Sequence, residues 1–141
     1  MADAMETYRG VVYPWNIDQV GHMNVQFYTG KFDEATWHFF ARLGLTPTFL
    51  REHNTGMAAL DQRTQYKREV LEGSLLVIRS VPLEVQRKTV RFRHTMVDGE
   101  TDEEIAVTEL LGVYTDKALR KSKELPALVV SHAERWLASG S

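Results

Sequence analysis

The run Trp15-Asn16-Ile17-Asp18-Gln19-Val20-Gly21-His22-Met23-Asn24 packs a carboxylate, an imidazole and a side-chain amide into one short stretch, with a flexible glycine between them. Directly after it, apolar residues begin to recur at helical spacing, so this stretch feeds a helix N-terminus. Unpaired backbone N–H groups and the helix dipole stabilise negative charge there. A thioester carbonyl placed against the first-turn N–H groups near Asn24, Val25 and Gln26 would be polarised, and its tetrahedral oxyanion would be stabilised more than its ground state. Asp18 would supply the attack, either as nucleophile through a mixed anhydride or as general base on water. His22 would orient Asp18, the water or the carbonyl. Glu34 and His38 are also at helical spacing, but a surface ion pair accounts for them and no HExxH pattern accompanies them. No metal is expected.

These residues need a scaffold. From Asn24 onward, Tyr28, Phe32, Ala35, Phe39 and Leu43 share one helical face, with Asn24 a favoured N-cap, Gly44 a left-handed exit and Pro47 a block to continuation. Phe27, Trp37 and Phe40 widen the apolar stripe, which predicts a helix buried over most of its circumference. Gly30 in its interior points to a close approach by another backbone or a ligand, or to a tolerated accident. Tyr8 to Tyr13 reads as a short strand, Thr48 to His53 as a short helical or irregular piece, and Gly56 to Arg68 as a strand. Alternating residues then mark strands through Leu75 to Val85, Val90 to Met96 and Ile105 to Val113, with Pro82 signalling an edge or a bulge. A terminal helix follows over Leu125 to Leu137, with Pro126 at its first position. Residues 1–141 are thus expected to form a single α+β domain, a curved antiparallel β-sheet wrapped around one long central helix, with a short C-terminal helix. The exposed edges of such a sheet predict pairing with a second copy.

Composition narrows the function. With 43% hydrophobic and 26% charged residues the chain has the make-up of a soluble protein with a core. The absence of cysteine rules out a disulfide scaffold, a thiolate nucleophile and Cys-based metal sites. A net charge of −2 gives no general attraction to nucleic acid, no apolar run spans a membrane, and no secretory signal opens the chain, so a cytoplasmic protein is expected. Basic residues cluster twice, at Arg87-Lys88 and at Lys117, Arg120, Lys121 and Lys123. Each reads first as a solvated face.

Asp18, Gly21-His22-Met23-Asn24, Tyr28 and Glu34-Ala35 resemble the hot-dog thioesterases of the 4-hydroxybenzoyl-CoA thioesterase and YbgC-like group, whose pattern is D-x-x-G-H-[VM]-N-N-x-x-Y. The resemblance implies a hot-dog fold, an acyl-CoA substrate and a catalytic carboxylate at Asp18, with the backbone N–H groups of Asn24 and Val25 polarising the thioester. No separate cofactor is implied, since CoA is part of the substrate. Val85-Gln86-Arg87-Lys88-Thr89-Val90 resembles the turn where these enzymes hold nucleotide phosphates, which makes Arg87 and Lys88 phosphate candidates. Glu69 to Leu76 resembles the acidic turn that opens their third strand. Val25 stands where many relatives have a second Asn, so that side-chain contact is absent while the N–H remains. His22 and Asn24 are present where the 4-hydroxybenzoyl-CoA enzymes themselves have other residues.

Tyr28 and, from a partner subunit, Asp61 and Gln62 are candidates to line the substrate pocket; Trp15, Trp37 and Phe40 fit either an acyl contact or the core. The expected activity is hydrolysis of an acyl-CoA thioester to free acid and CoA by a homodimer or homotetramer. A thioesterase acting on acyl-carrier protein and a non-catalytic acyl-CoA binding module are the competing readings. The Asn-Pro element of hot-dog hydratases is missing.

Overall fold

The computed structural model describes residues 4–140. Strand β1 (Met5–Val11) and a short 3-10 turn (Pro14–Asn16) precede the long helix α1 (Val25–Arg42) and the short α2 (Pro47–His53). Strands β2 (Thr55–Tyr66), β3 (Leu75–Val85), β4 (Thr89–Asp98) and β5 (Glu104–Asp116) follow, then β6 (Lys121–Ser122) and α3 (Ala127–Gly140). All strand pairs are antiparallel, in the order β1-β3-β4-β5-β2, with β6 pairing the end of β5. This is the hot-dog arrangement, a sheet curled around one helix. Among the described residues no helix is long and apolar enough to cross a membrane.

Helix α1 begins where its sequence says it should. The Asn24 side chain accepts a hydrogen bond from Gln26 N–H at 3.0 Å, the N-cap geometry that satisfies one orphan donor. At the other end Gly44 takes φ 104°, and Leu45 N–H returns to Phe40 O at 2.9 Å. The α1 residues Tyr28, Phe32, Ala35, Thr36, Phe39 and Phe40 are buried. Each large apolar side chain among them contributes about 1.5–3 kcal/mol of burial free energy. The helix is buried along this one stripe and not over most of its circumference: Val25 is 53% exposed and Trp37 46%, and Gln26, Thr29, Gly30 and Asp33 are exposed as well. The sheet of one chain covers only one side of the helix, and the other side looks across a groove towards edge strand β2.

Element boundaries also shift. The first strand runs Met5–Val11, earlier than its aromatic residues suggested, because Met5 and Glu6 pair with Ser80 and Arg79. Pro126 lies just before α3, where its carbonyl accepts from Val129 and Val130 N–H, so it caps the helix and does not open it. Pro82 sits at a bulge in β3, beyond the reach of β1, whose pairing stops at Ser80. An imino nitrogen that cannot donate is tolerated there.

The buried interior contains one polar chain. Thr7 Oγ lies 2.7 Å from Ser80 Oγ, Ser80 contacts His94 Nδ1, and His94 Nε2 lies 2.8 Å from Thr36 Oγ, which donates to Phe32 O at 3.0 Å. The chain ties β1, β3, β4 and α1 together among Phe32, Phe39 and Phe92. His94 is fully buried, and desolvation lowers its pKa from 6.5 to about 3. It is neutral when folded but protonates near 6.5 when unfolded, so its contribution to stability is complete above that pH and falls as pH drops from 6.5 towards 3. The slope is about 1.4 kcal/mol per pH unit over that window. Replacing His94 with Phe should cost about 1–3 kcal/mol at pH 7.5 and flatten stability between pH 6 and 4.5. Urea denaturation at several pH values checks both effects.

Candidate active site

The stretch before α1 is a miniature hairpin. Ile17 bridges Met23, Asp18 N–H donates to His22 O at 3.2 Å, and Gly21 N–H donates back to Asp18 O at 3.0 Å. Gly21 has φ 103°, a left-handed conformation that side chains rarely adopt, so the turn requires glycine at this point. Two anchors fix the hairpin to the fold. Asn16, buried, accepts Tyr13 N–H on its side chain and Asn24 N–H on its carbonyl, and Met23 N–H donates to Val70 O at 2.8 Å.

Asp18 is held by two donors. Asn24 Nδ2 donates to its Oδ2 at 2.9 Å and Val20 N–H to its Oδ1 at 2.9 Å. These bonds, that from Asn24 foremost, hold its carboxyl below the usual aspartate range, with the nearby His22 adding to the effect. Asp18 is therefore an anchored carboxylate in solvent contact, with one lone pair still open on each oxygen. Asn24 does double duty, since the amide that clamps Asp18 also caps α1 through its Oδ1.

The first-turn donors are mostly engaged. Asn24 N–H is used by Asn16 O, Gln26 N–H by the Asn24 side chain and Phe27 N–H by Asn24 O. The expectation that Asn24 N–H polarises a thioester thus meets a donor already occupied at 2.9 Å. Val25 N–H, at the first helical position, has no partner among the described residues. Its side chain points outward.

Asp18, His22, Asn24, Val25 and Tyr28 line one groove of about 400 Å³, closed on its far side by residues 66–69. His22 Nε2 lies 3.3 Å from Glu69 Oε2, and Tyr28 packs edge-on to Tyr66 with its hydroxyl 3.4 Å from Arg68 O. Burial raises the Tyr28 pKa, so the phenol stays protonated. Along a different face of α1 a second groove, about 450 Å³, is lined by Gly30, Trp37, Phe40, Met57, Ala58 and Gly112. A Cβ on Gly30 would meet nothing within 4 Å, so this glycine borders open space in the chain and does not admit a close backbone.

The remaining candidates lie elsewhere. Asp61 is exposed on β2 next to a bulge at Leu60, while Gln62 reaches Thr108 Oγ at 3.4 Å. Arg87 and Lys88 lie past the end of β3, whose start packs beside the Asp18 hairpin; at about 3.3 Å per residue its 11 residues separate them from Asp18 by most of the sheet. One chain does not bring them together. Trp15 is 71% exposed and stacks on Tyr13 at 4.7 Å, outside the core. Glu34 and His38 lie on the exposed side of α1, and among the described residues no three His, Asp or Glu side chains converge as a metal site. Glu69 and Tyr66 were not singled out in advance as site residues. Their proximity to His22 and Tyr28 depends on the Met23–Val70 hydrogen bond, which no local pattern encodes.

The chain matches the family model described as the thioesterase-like superfamily over residues 12–136. It is 26% identical to the betainyl-CoA thioesterase of Pseudomonas aeruginosa over 77% of this chain and 69% of that protein. A Staphylococcus aureus protein solved in complex with CoA superimposes with a TM-score of 0.89 at 15% identity, covering 98% of this chain and 87% of that one. A Thermus thermophilus thioesterase solved with CoA and zinc gives 0.80 at 19% identity, with 98% of both chains covered. With an anchored carboxylate beside a helix N-terminus on this fold and a family match across nearly its whole length, the chain belongs to the thioesterase-like superfamily and is a hydrolase of thioester bonds.

Proposed function

We propose that the protein hydrolyses acyl-CoA thioesters with Asp18 as the reacting carboxylate and Val25 N–H as the oxyanion donor. The observation that carries this is the pairing of an ionised, doubly anchored carboxylate with a free backbone donor at the same helix end. The CoA-bound neighbours and the betainyl-CoA thioesterase support CoA as the carrier.

Asp18 attacks the thioester carbon, the carbonyl electrons move to an oxygen facing Val25 N–H, and collapse expels the CoA thiolate. Water then cleaves the resulting anhydride to release the acid and restore Asp18. In the alternative route Asp18 takes a proton from water, which attacks directly. The hydrogen bonds that lower the Asp18 pKa keep the carboxylate ionised, as both routes require, and weaken it alike as base and as nucleophile. In this reading His22, 3.3 Å from Glu69, orients Asp18, the water or the carbonyl. The apolar groove beyond α1, with Trp37 and Phe40 in its wall, offers room for the acyl group.

The unpaired edge of β2 supports a homo-oligomer. It spans 12 residues, most of them exposed on both faces, and carries Leu60 61% exposed. An edge of this length is a template for a second strand. Sedimentation of the purified protein should give at least a dimer, and proline at Ala59 should shift it to the monomer.

A panel of acyl-CoAs with thiol detection, run beside acyl-carrier-protein substrates, tests the activity. Asp18→Asn should lower kcat by about 10²-fold or more; an unchanged rate would remove Asp18 from the mechanism. Asn24→Ser keeps a capping oxygen but loses the amide donor to Asp18. Thermal stability should therefore stay within a few tenths of a kcal/mol, while kcat falls about 10- to 100-fold. The Asp18 carboxyl should titrate nearer 3.8 in that variant by carbon NMR, since the bond that lowered it is gone.

A further inference from the structure

The groove of about 450 Å³ along α1 carries a charge pattern that the chemistry at Asp18 does not use. Gln26, Gly30, Asp33 and Trp37 follow one another at spacings of three and four, so they stand in line along the helix, and all four are exposed. A Cβ on Gly30 would meet nothing within 4 Å, although glycine weakens a helix interior relative to alanine. Open space therefore lies over the helix between its N-terminus and Asp33.

Among the described residues that line this groove, Asp33 is the only one with a formal charge. No basic side chain among the described residues pairs with its carboxylate, whereas Glu6, Glu69, Asp102, Glu103, Glu104, Glu109 and Glu124 each have such a partner. One turn further on, Trp37 is 46% exposed and stands at 83° to Phe40, with ring centroids 6.1 Å apart. Two ring planes near a right angle form a corner rich in π-electron density. The cations that lie over aromatic rings among the described residues are Lys31 on Tyr8 and Arg42 on Trp136, so this corner takes no cation from its own chain. A carboxylate beside an aromatic corner is the chemistry that receives an alkylammonium group, whose methyl or methylene carbons also suit the apolar wall of Met57, Phe92 and Leu110.

The pattern reverses beyond Trp37. Trp37 and Met57 also border an adjoining groove of about 430 Å³, where Arg51 and Lys117 repel a cation. Positive charge is thus favoured only between Gly30 and Trp37. At about 1.5 Å per residue, Asp33 stands about 12 Å along the helix from Val25 N–H and Trp37 about 18 Å.

We infer that this groove selects an acyl chain bearing a positive charge, a quaternary ammonium or a protonated amine, with Asp33 as its counter-ion and Trp37 and Phe40 as its aromatic wall. This rests on the reading of Asp18 and Val25 N–H as the reacting end of the same substrate. The acyl chain runs from the oxyanion donor across the open space at Gly30, and its charged end stops at Asp33. A neutral end forfeits the ion pair and the cation–aromatic contact, and a carboxylate end is repelled.

Three series of acyl-CoAs of increasing chain length test the selection on the intact protein. Their chains end in trimethylammonium, in the neutral tert-butyl group of the same shape, or in carboxylate. At the length that reaches Asp33, kcat/KM for the ammonium chain should exceed that for the tert-butyl chain about tenfold, with the carboxylate chain poorest. Asp33→Asn should lower the ammonium-to-tert-butyl ratio about fivefold and Trp37→Leu about tenfold, chiefly through KM. Equal values for ammonium and tert-butyl chains at every length, or a ratio that neither variant moves, overturn the proposal. So does a preference for the carboxylate series, which would seat the acyl end at Arg51 and Lys117. If Trp37→Leu sediments as a smaller species than the wild type and keeps its ratio, the groove is a contact between copies and the proposal also fails. Titration calorimetry with the matching S-alkyl CoA thioethers, which cannot be hydrolysed, reads the ratio without turnover. An ammonium preference in the thioethers together with full activity in Asp18→Asn upholds the groove and defeats only the Asp18 assignment. No preference in the thioethers, with Asp18→Asn inactive, overturns the groove and leaves that assignment standing.

Discussion

An apolar stripe of Tyr28, Phe32, Ala35, Phe39 and Phe40 on α1 cannot be left in water, and the rest of the fold follows from covering it. Five antiparallel strands curl over the stripe, contributing Leu76, Ile78, Phe92, Met96, Ile105 and Leu110 from their inner face. A helix enclosed in this way must enter the sheet from an edge. Its N-terminus therefore emerges at the surface beside the start of β3, where Val25 N–H is the first-turn donor left without a partner among the described residues. The Asp18 hairpin is the connection that delivers the chain to that point, and its position is a consequence of how the helix is wrapped.

Polar groups are handled differently at the two ends of this arrangement. Inside, Thr7, Ser80, His94 and Thr36 satisfy one another in a closed chain, and the imidazole is kept neutral by burial. At the rim, Asn16, Asn24 and Asp18 satisfy one another while leaving a carboxylate charged and one backbone N–H unspent. Burial disfavours charge, whereas exposure with donated hydrogen bonds favours it. Hydrogen-bonded polar groups are thus kept neutral in one place and charged in the other. Asn24 is the hinge of the second set, because the capping bond and the Asp18 clamp come from the oxygen and the nitrogen of one amide.

The single chain also leaves much unfinished. The exposed side of α1 and the long edge of β2 are left without a covering layer within the chain. Sheet curvature accounts for this: a strand set long enough to wrap the helix fully would close on itself, and stopping short leaves an edge and a groove. The identification of the family does not depend on assembly.

By itself the sequence determined the helix, its caps and the reactive stretch before it, because these are local. Helical spacing from Tyr28 to Leu43, Asn24 as a cap and Gly44 as a left-handed exit are each written within a few residues of where they act. Strand existence was legible from alternation, and the bulge at Pro82 from the missing donor. Strand ends were not, since Met5 and Glu6 become strand only through pairing with β3, some seventy residues away. Tertiary structure alone decided which first-turn donor remains free, that Glu69 reaches His22, that α1 is covered on only one side, and that Arg87 and Lys88 stand far from Asp18 in their own chain. Each of these depends on contacts between segments distant in sequence, whose register is set by packing and not by any local pattern.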